Sequence, residues 1–206
     1  MLARRNRARR AKALEPCLGL FDAVATGIAP DGYPSLRGIV DGRRVTLSLI
    51  PDTLTVKRLP QLWLSIVMPC DAAAAPLALT ARPRGEDYVS LRSHAGGALA
   101  VPPWLPGDFS VHGAATAAAL LERLRGCGPA IFADPAVKEI AIVAGKIHLL
   151  YRLSEGRRGA HLLFREAVFD DALTPERLRA LLDALTAVER AARRSDAEID
   201  AAVDDA

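Results

Sequence analysis

The side chains of this 206-residue chain best suited to chemistry are its four histidines, His94, His112, His148 and His161. His148 and His161 fall on neighbouring expected strands and project to one face, the geometry of a two-histidine metal or acid–base site, with Glu139 the candidate third ligand. The competing reading is separate histidines on a half-solvated sheet face. A second candidate is the loop Arg82-Pro-Arg-Gly-Glu-Asp-Tyr88. There Arg82, Arg84 and the Gly85 backbone could hold a small anion, although such loops more often make surface ion pairs worth less than ~1 kcal/mol. Trp104, set among prolines, is either an exposed recognition aromatic or a plug for a sheet edge.

Motifs that would turn these residues into a recognisable enzyme are missing. The sequence has no Gly-x-Ser-x-Gly elbow, no phosphate loop ending in Lys-Ser or Lys-Thr, no dinucleotide glycine fingerprint and no His-Glu-x-x-His pair. The three cysteines, Cys17, Cys70 and Cys127, are too far apart for a zinc knuckle or a Cys-x-x-Cys redox pair, and their odd number argues against a disulfide framework. No catalytic, cofactor or metal site is therefore expected, and a reduced, cytoplasmic setting follows.

Charge is more informative than motif. The formal net charge is +3, but it is unevenly spread. Residues 1–12 carry Arg4, Arg5, Arg7, Arg9, Arg10 and Lys12 with no acid, whereas residues 196–206 carry Asp196, Glu198, Asp200, Asp204 and Asp205 with no base. Two solvated tails, pairing within one molecule, or pairing head to tail between molecules all fit this pattern. Only four of the 27 basic residues are lysines. GC-rich bacterial coding, which also favours alanine, accounts for that bias without selection for phosphate binding. The arginine cluster resembles the start of an export signal, but Lys12, Glu15 and Pro16 follow it instead of an apolar run. No stretch approaches the ~18 uncharged apolar residues of a membrane span.

The elements that must position these side chains are legible from periodicity. Residues 2–15 are rich in helix formers and read as a basic helical arm, stopped by Pro16 and Gly19. Phe21–Ala25 reads as a first strand. Asp41-Gly42 between apolar runs predicts a two-residue type I′ hairpin pairing Val40 with Arg43, Ile39 with Arg44, Gly38 with Val45, Arg37 with Thr46 and Leu36 with Leu47. This register sorts Leu36, Gly38, Val40, Val45, Leu47 and Leu49 onto a dry face, with Arg37, Ile39, Arg44, Thr46, Ser48 and Ile50 opposite. Further strands are expected at 63–68, 77–82, 88–91 and 108–111. A second hairpin around Ala144-Gly145 has Ile140, Ile142, Ile147, Leu149, Tyr151 and Leu153 on its dry face, and Glu139, Ala141, Val143, Lys146, His148, Leu150 and Arg152 on the other. A strand at 161–165 pairs after it. Two helices carry apolar stripes: 114–125 through Ala117, Leu120, Leu121 and Leu124, and 174–194, capped by Thr174-Pro175, through Leu178, Leu181, Leu182, Leu185 and Val188.

The expected fold class is α+β: two layers, a largely antiparallel β-sheet with two amphipathic helices packed on one face, plus an N-terminal basic helix. The domain organisation is a basic arm (1–18), one α+β domain (19–194, β-rich over 20–112 and helix, hairpin, strand and helix over 113–194), and an acidic tail (195–206). If all strands share one sheet, Arg37, Arg44, Lys146, His148, Arg152 and Arg165 make its second face basic. That face lacks the interleaved aromatics that stack on bases, because Tyr151 falls on the dry side. The functional expectation is a non-catalytic domain that binds a protein partner or itself as a homo-oligomer. The alternative is binding of nucleic acid or an anionic membrane surface through Arg4, Arg5, Arg7, Arg9, Arg10 and Lys12, aided by Arg37, Arg44, Arg152 and Arg165.

Overall fold

Alternating apolar and polar side chains between turn residues produce nine strands in the computed structural model: β1 (Ala23–Ile28), β2 (Pro34–Val40), β3 (Arg43–Asp52), β4 (Gln61–Pro69), β5 (Leu77–Ala81), β6 (Gly97–Leu99), β7 (Phe109–Gly113), β8 (Val137–Val143) and β9 (Lys146–Glu155). They form an antiparallel sheet in the order β1-β2-β3-β4-β9-β8-β5-β7-β6. Among the described residues it is accompanied by the α-helical segments α1 (Arg92–Ala95), α2 (Ala118–Arg123), α3 (Gly128–Phe132) and α4 (Pro175–Arg193). The structure describes residues 10–52, 59–70, 74–83, 89–105, 107–157, 168–169 and 172–193. Contacts divide the chain into two units, Met1–Met68 with Leu150–Leu181 and Pro69–Leu149 with Leu182–Ala206, and each is described by itself.

In the first unit, φ is +48° at Asp41 and +74° at Gly42, the left-handed pair that a type I′ turn requires. The β2–β3 register is the one that the Asp-Gly turn predicts, from Val40 opposite Arg43 to Leu36 opposite Leu47. Leu36, Val40, Val45, Leu47 and Leu49 are buried, joined on the same face by Leu62, Leu64, Ile66 and Met68 of β4. Each such side chain contributes about 2 kcal/mol on leaving water. β1 precedes β2 through a tight loop in which Gly32 adopts φ +84°, the Ala29 N–H donates to the Tyr33 carbonyl at 2.8 Å, and the Tyr33 N–H donates to Asp31 Oδ1 at 3.0 Å. The two strands approach closely at Gly38, where a Cβ would lie 2.1 Å from the Ala23 carbonyl oxygen and 2.7 Å from the Phe21 ring. Leu14, Cys17 and Leu173 are fully buried. The Cys17 thiol donates to the Leu173 carbonyl at 3.5 Å, tying the 3-10 turn Glu15–Leu20 to the segment before α4.

In the second unit, β5 pairs with β7 on one side and β8 on the other, so Glu139, Thr80 and Ser110 form one row across three strands and Ala141, Ala78 and His112 the next. α1 lies over this face: Ala95 clusters with Ala78 and Ala141, with Leu91 and Val143 packed around them. Alanines on both sides let the helix backbone come close to the sheet. The opposite face carries Leu77, Leu79, Val111, Ile140 and Ile142, all buried, and there Phe109 meets Phe132 of α3 edge-on at 4.9 Å. Ala117, Leu120, Leu121 and Leu124 are buried as their spacing predicts, although the helix expected over 114–125 is an α-helical core between two 3-10 turns, Ala115–Ala117 and Leu124–Gly126.

α4 begins where Thr174-Pro175 predicts. Thr174 Oγ1 accepts the Arg177 N–H at 3.2 Å, an N-cap satisfying one otherwise orphan donor, and its carbonyl accepts the Leu178 N–H at 3.0 Å in the first regular bond of the helix. Leu178, Leu181, Leu182, Leu185 and Val188 are all buried.

Several expectations are corrected. Residues 89–91 form a turn into α1, not a strand. Leu91 N–H is held there by a side chain distant in sequence, which no local pattern announces. The second face of the later hairpin is not solvated throughout, since Glu139 and Ala141 are buried beneath α1. Of the arm expected to be helical, Arg10 and Ala11 are helical, and Pro16 and Gly19, read as stop signals, lie inside the 3-10 turn. Residues 1–9 and the strand expected at 161–165 lie outside the described residues.

Candidate functional site

Glu139 is the most elaborately held titratable side chain in the second unit. β8 places it opposite Thr80 of β5. Its Oε2 accepts from Thr80 Oγ1 at 2.7 Å and from Ser90 Oγ, and its Oε1 accepts the Leu91 N–H at 2.7 Å. A buried carboxylate with three donors is stable in place, and here it clamps the turn that starts α1 against the sheet. The same arrangement removes Glu139 as a metal ligand for His148 and His161. His148 is half-buried on β9, its pKa lowered by burial and then by Lys146, and His161 lies outside the described residues. Among the described residues no cluster of three His, Cys, Asp or Glu side chains could hold a metal ion.

Ser110 and His112 share a face of β7 with the Glu139–Thr80 row, which brings serine, histidine and glutamate into one neighbourhood. The order of contacts is wrong for a nucleophilic triad. There the imidazole stands between hydroxyl and carboxylate, whereas here hydroxyls reach the carboxylate directly, and Ser110 Oγ and His112 Nδ1 are buried without a hydrogen-bond partner.

The Arg82 loop is also committed to structure. The Arg82 guanidinium donates to the carbonyls of Pro135 and Val137 at 2.9 and 2.7 Å, and Lys138 Nζ donates to those of Ala81 and Arg82 at 3.0 and 2.7 Å. Two cations thus satisfy carbonyls at neighbouring strand ends, while Arg84 and Gly85 lie outside the described residues. Trp104 packs its ring against Gly128, where an added Cβ would lie 2.7 Å from the indole.

The basic residues separate into groups. Arg10 stacks over the Tyr33 ring at 5.3 Å from its centroid, and Tyr33 meets Phe169 edge-on at 6.4 Å. Lys12 makes an exposed ion pair with Glu15 at 3.8 Å. Arg4, Arg5, Arg7, Arg9 and Arg165 lie outside the described residues. Arg37 and Arg44 are exposed and diagonal to one another, since Arg37 stands opposite Thr46 and Ile39 opposite Arg44. Arg43 points to the other face, so the Arg43-Arg44 pair is not a flat clamp. Arg152 is half-buried on β9, which β4 separates from β3. Along the Arg37–Arg44 face the surface closes toward Asp52, Gln61 and Trp63, all buried. The one tryptophan on that face is therefore not presented for stacking on a base.

The feature that sequence reasoning missed is the outer edge of β1. It is a terminal strand of the sheet, reads Ala-Val-Ala-Thr-Gly-Ile without a charge or proline, and is exposed at every residue but Gly27. Val24 is 39% exposed and Ile28 57%, and Ile39 of the adjoining β2 is 38% exposed; these are three of the four large apolar side chains exposed among the described residues. Edge strands normally carry lysine, proline or a bulge that discourages pairing; β1 has no lysine or proline over its length, and its one irregularity is at the start, where the Asp22 N–H also donates to the Ile39 carbonyl at 2.9 Å. The signal was present in its uncharged β-prone composition, but nothing in the sequence says which strand ends a sheet. No protein-family model, no curated protein and no solved structure matches the chain.

Proposed function

We propose that this protein is a non-catalytic interaction domain that binds another polypeptide by adding a strand to the open edge of β1. The observation that carries this reading is the coincidence of a backbone edge that is terminal among the described strands with exposed Val24, Ile28 and Ile39 beside it. Strand addition needs just these: main-chain groups for affinity and apolar side chains at alternate positions for specificity. The absence of a match among known families leaves the site itself as the basis for the reading. In this proposal α2 and α4 cover the dry face of the sheet in a two-layer arrangement, the basic arm is helical, and the partner-binding edge is left clear. The odd number and wide spacing of Cys17, Cys70 and Cys127 support a reducing, cytoplasmic setting.

The test compares the wild-type chain with a Val24→Lys/Ile28→Lys double variant as bait. Both substitutions fall on exposed edge positions, so fold and melting temperature are expected to stay unchanged while specifically retained partners are lost. Equal retention by the two baits, with both folded, removes the edge as the binding element.

A second reading, binding of nucleic acid or an anionic surface through the basic arm with Arg37 and Arg44, is favoured by the exposure of both arginines on one face. It predicts affinity falling steeply with salt, with a log–log slope of roughly −5 on duplex DNA if six phosphates are contacted.

A further inference from the structure

We infer that the strand occupying the β1 edge is β1 of a second copy, paired antiparallel across a twofold axis at Thr26. The inference rests on the interaction reading above and names its partner.

Hydrogen-bond parity fixes the geometry. The Ala29 N–H donates inward to Tyr33, so by the alternation of an antiparallel ladder Ala23, Ala25 and Gly27 also face β2, while the N–H and C=O groups of Val24, Thr26 and Ile28 point outward. A second β1 satisfies all of these outward groups only in a register that matches outward residues with one another. Centring it on Thr26 sets Thr26 against Thr26 of the second copy, and Val24 against its Ile28 and the reverse. The strand is then self-complementary. Each outward residue donates once and accepts once, and the two most exposed apolar side chains of the strand cover each other as cross-strand pairs. The other face brings only Ala25 against Gly27, so nothing collides.

Charge supports the same occupant. β1 carries no charge, and Arg37 stands opposite Ala25. In this register the two Arg37 side chains start ~15 Å apart by strand spacing, beyond the ~8 Å screening length at physiological salt. Opposite charges meet at the ends. Asp22, exposed and just before β1, reaches the Ile28 end of the second copy. There Arg10 stacks on Tyr33, next to the Pro34 that pairs with Ile28. Asp22 of each copy thereby comes toward the end of the sheet at which Arg10 of the other stands.

The test uses the full chain with single cysteines at the edge. Thr26→Cys places two thiols across the axis with Cα atoms ~5.5 Å apart, within disulfide range. Ala25→Cys puts its pair at ~8 Å, beyond that range. Under mild oxidation, with the wild-type chain as background for Cys17, Cys70 and Cys127, Thr26→Cys is expected to give reducible dimer about tenfold faster than Ala25→Cys. Light scattering is expected to show a concentration-dependent dimer for the wild type and a monomer for Val24→Lys/Ile28→Lys, each variant being checked for an unchanged melting temperature. Equal cross-linking at the two positions, or a wild-type monomer throughout the micromolar range, overturns self-pairing. If the double variant then still loses a separate partner, the interaction reading survives alone; if it retains every partner, both fall.

Discussion

Glu139 shows how a single side chain decides a local fold. Its carboxylate gathers Thr80, Ser90 and the Leu91 N–H, and removing it leaves two buried hydroxyls and a part-buried N–H without this acceptor. At ~1–3 kcal/mol for each unsatisfied group, Glu139→Ala is expected to destabilise the protein by about 3–5 kcal/mol, read as a lower denaturant midpoint. Glu139→Gln keeps one acceptor oxygen and costs less. A loss below ~1 kcal/mol for Glu139→Ala would show that α1 is held by its alanine packing alone. Cys17 and His148 each contribute to the pH dependence of stability. Burial, and then Glu176, push the Cys17 thiol up to about 11 from 9.0. The unfolded chain therefore loses this proton first, and stability declines as pH rises from 9 toward 11. His148 is shifted the other way, lowered from 6.5 by burial and Lys146. The unfolded chain takes up that proton first, so its contribution is present above pH 6.5 and lost as pH falls below it. Thermal melts across pH are expected to show both limbs, with Cys17→Ala flattening the alkaline one and His148→Gln the acidic one.

At the scale of elements, the two hairpins separate what sequence patterns convey from what they leave out. Asp41-Gly42 could be read in full, because the turn type dictates its residues, the residues dictate the register, and the register sorts Leu36 to Leu49 from Arg37 to Ile50. α4 was equally legible, since Thr174 and a leucine stripe state both its start and its buried face. β6 and α1 were not, being three and four residues long. Such segments are shorter than any period they could display, and α1 is held by a carboxylate 48 positions away from Leu91. The second hairpin turn carries a local mismatch: Ala144 adopts φ +51° and Gly145 +68°. A left-handed conformation strains an alanine and not a glycine. Ala144→Gly is expected to stabilise the protein by about 0.5–1 kcal/mol, after the larger entropy of the unfolded glycine chain is subtracted. The melting temperature then rises by roughly 1–4 °C.

For the whole molecule, the question is whether association is driven by the uncharged edge or by the charged ends. The candidate site was half legible on this point: the opposed charges of residues 1–12 and 196–206 stand in the sequence, but the edge does not, because a strand's place in a sheet is set by every other strand. Salt discriminates the two drives. Pairing through Val24, Thr26 and Ile28 uses backbone hydrogen bonds and apolar contact, which ionic strength barely alters. The approach of Asp22 to Arg10 of the other copy is a minor, exposed term. Raising salt from ~50 to ~500 mM is therefore expected to weaken the dimer less than about threefold by sedimentation, whereas association through six basic side chains and an anionic surface would weaken by several powers of ten over that range. Deleting residues 1–9 sharpens the comparison, since it removes four arginines without touching β1. A truncated chain that dimerises with nearly the wild-type constant assigns association to the edge. A truncated chain that is monomeric at every salt concentration transfers the role to the arm and leaves β1 without a function.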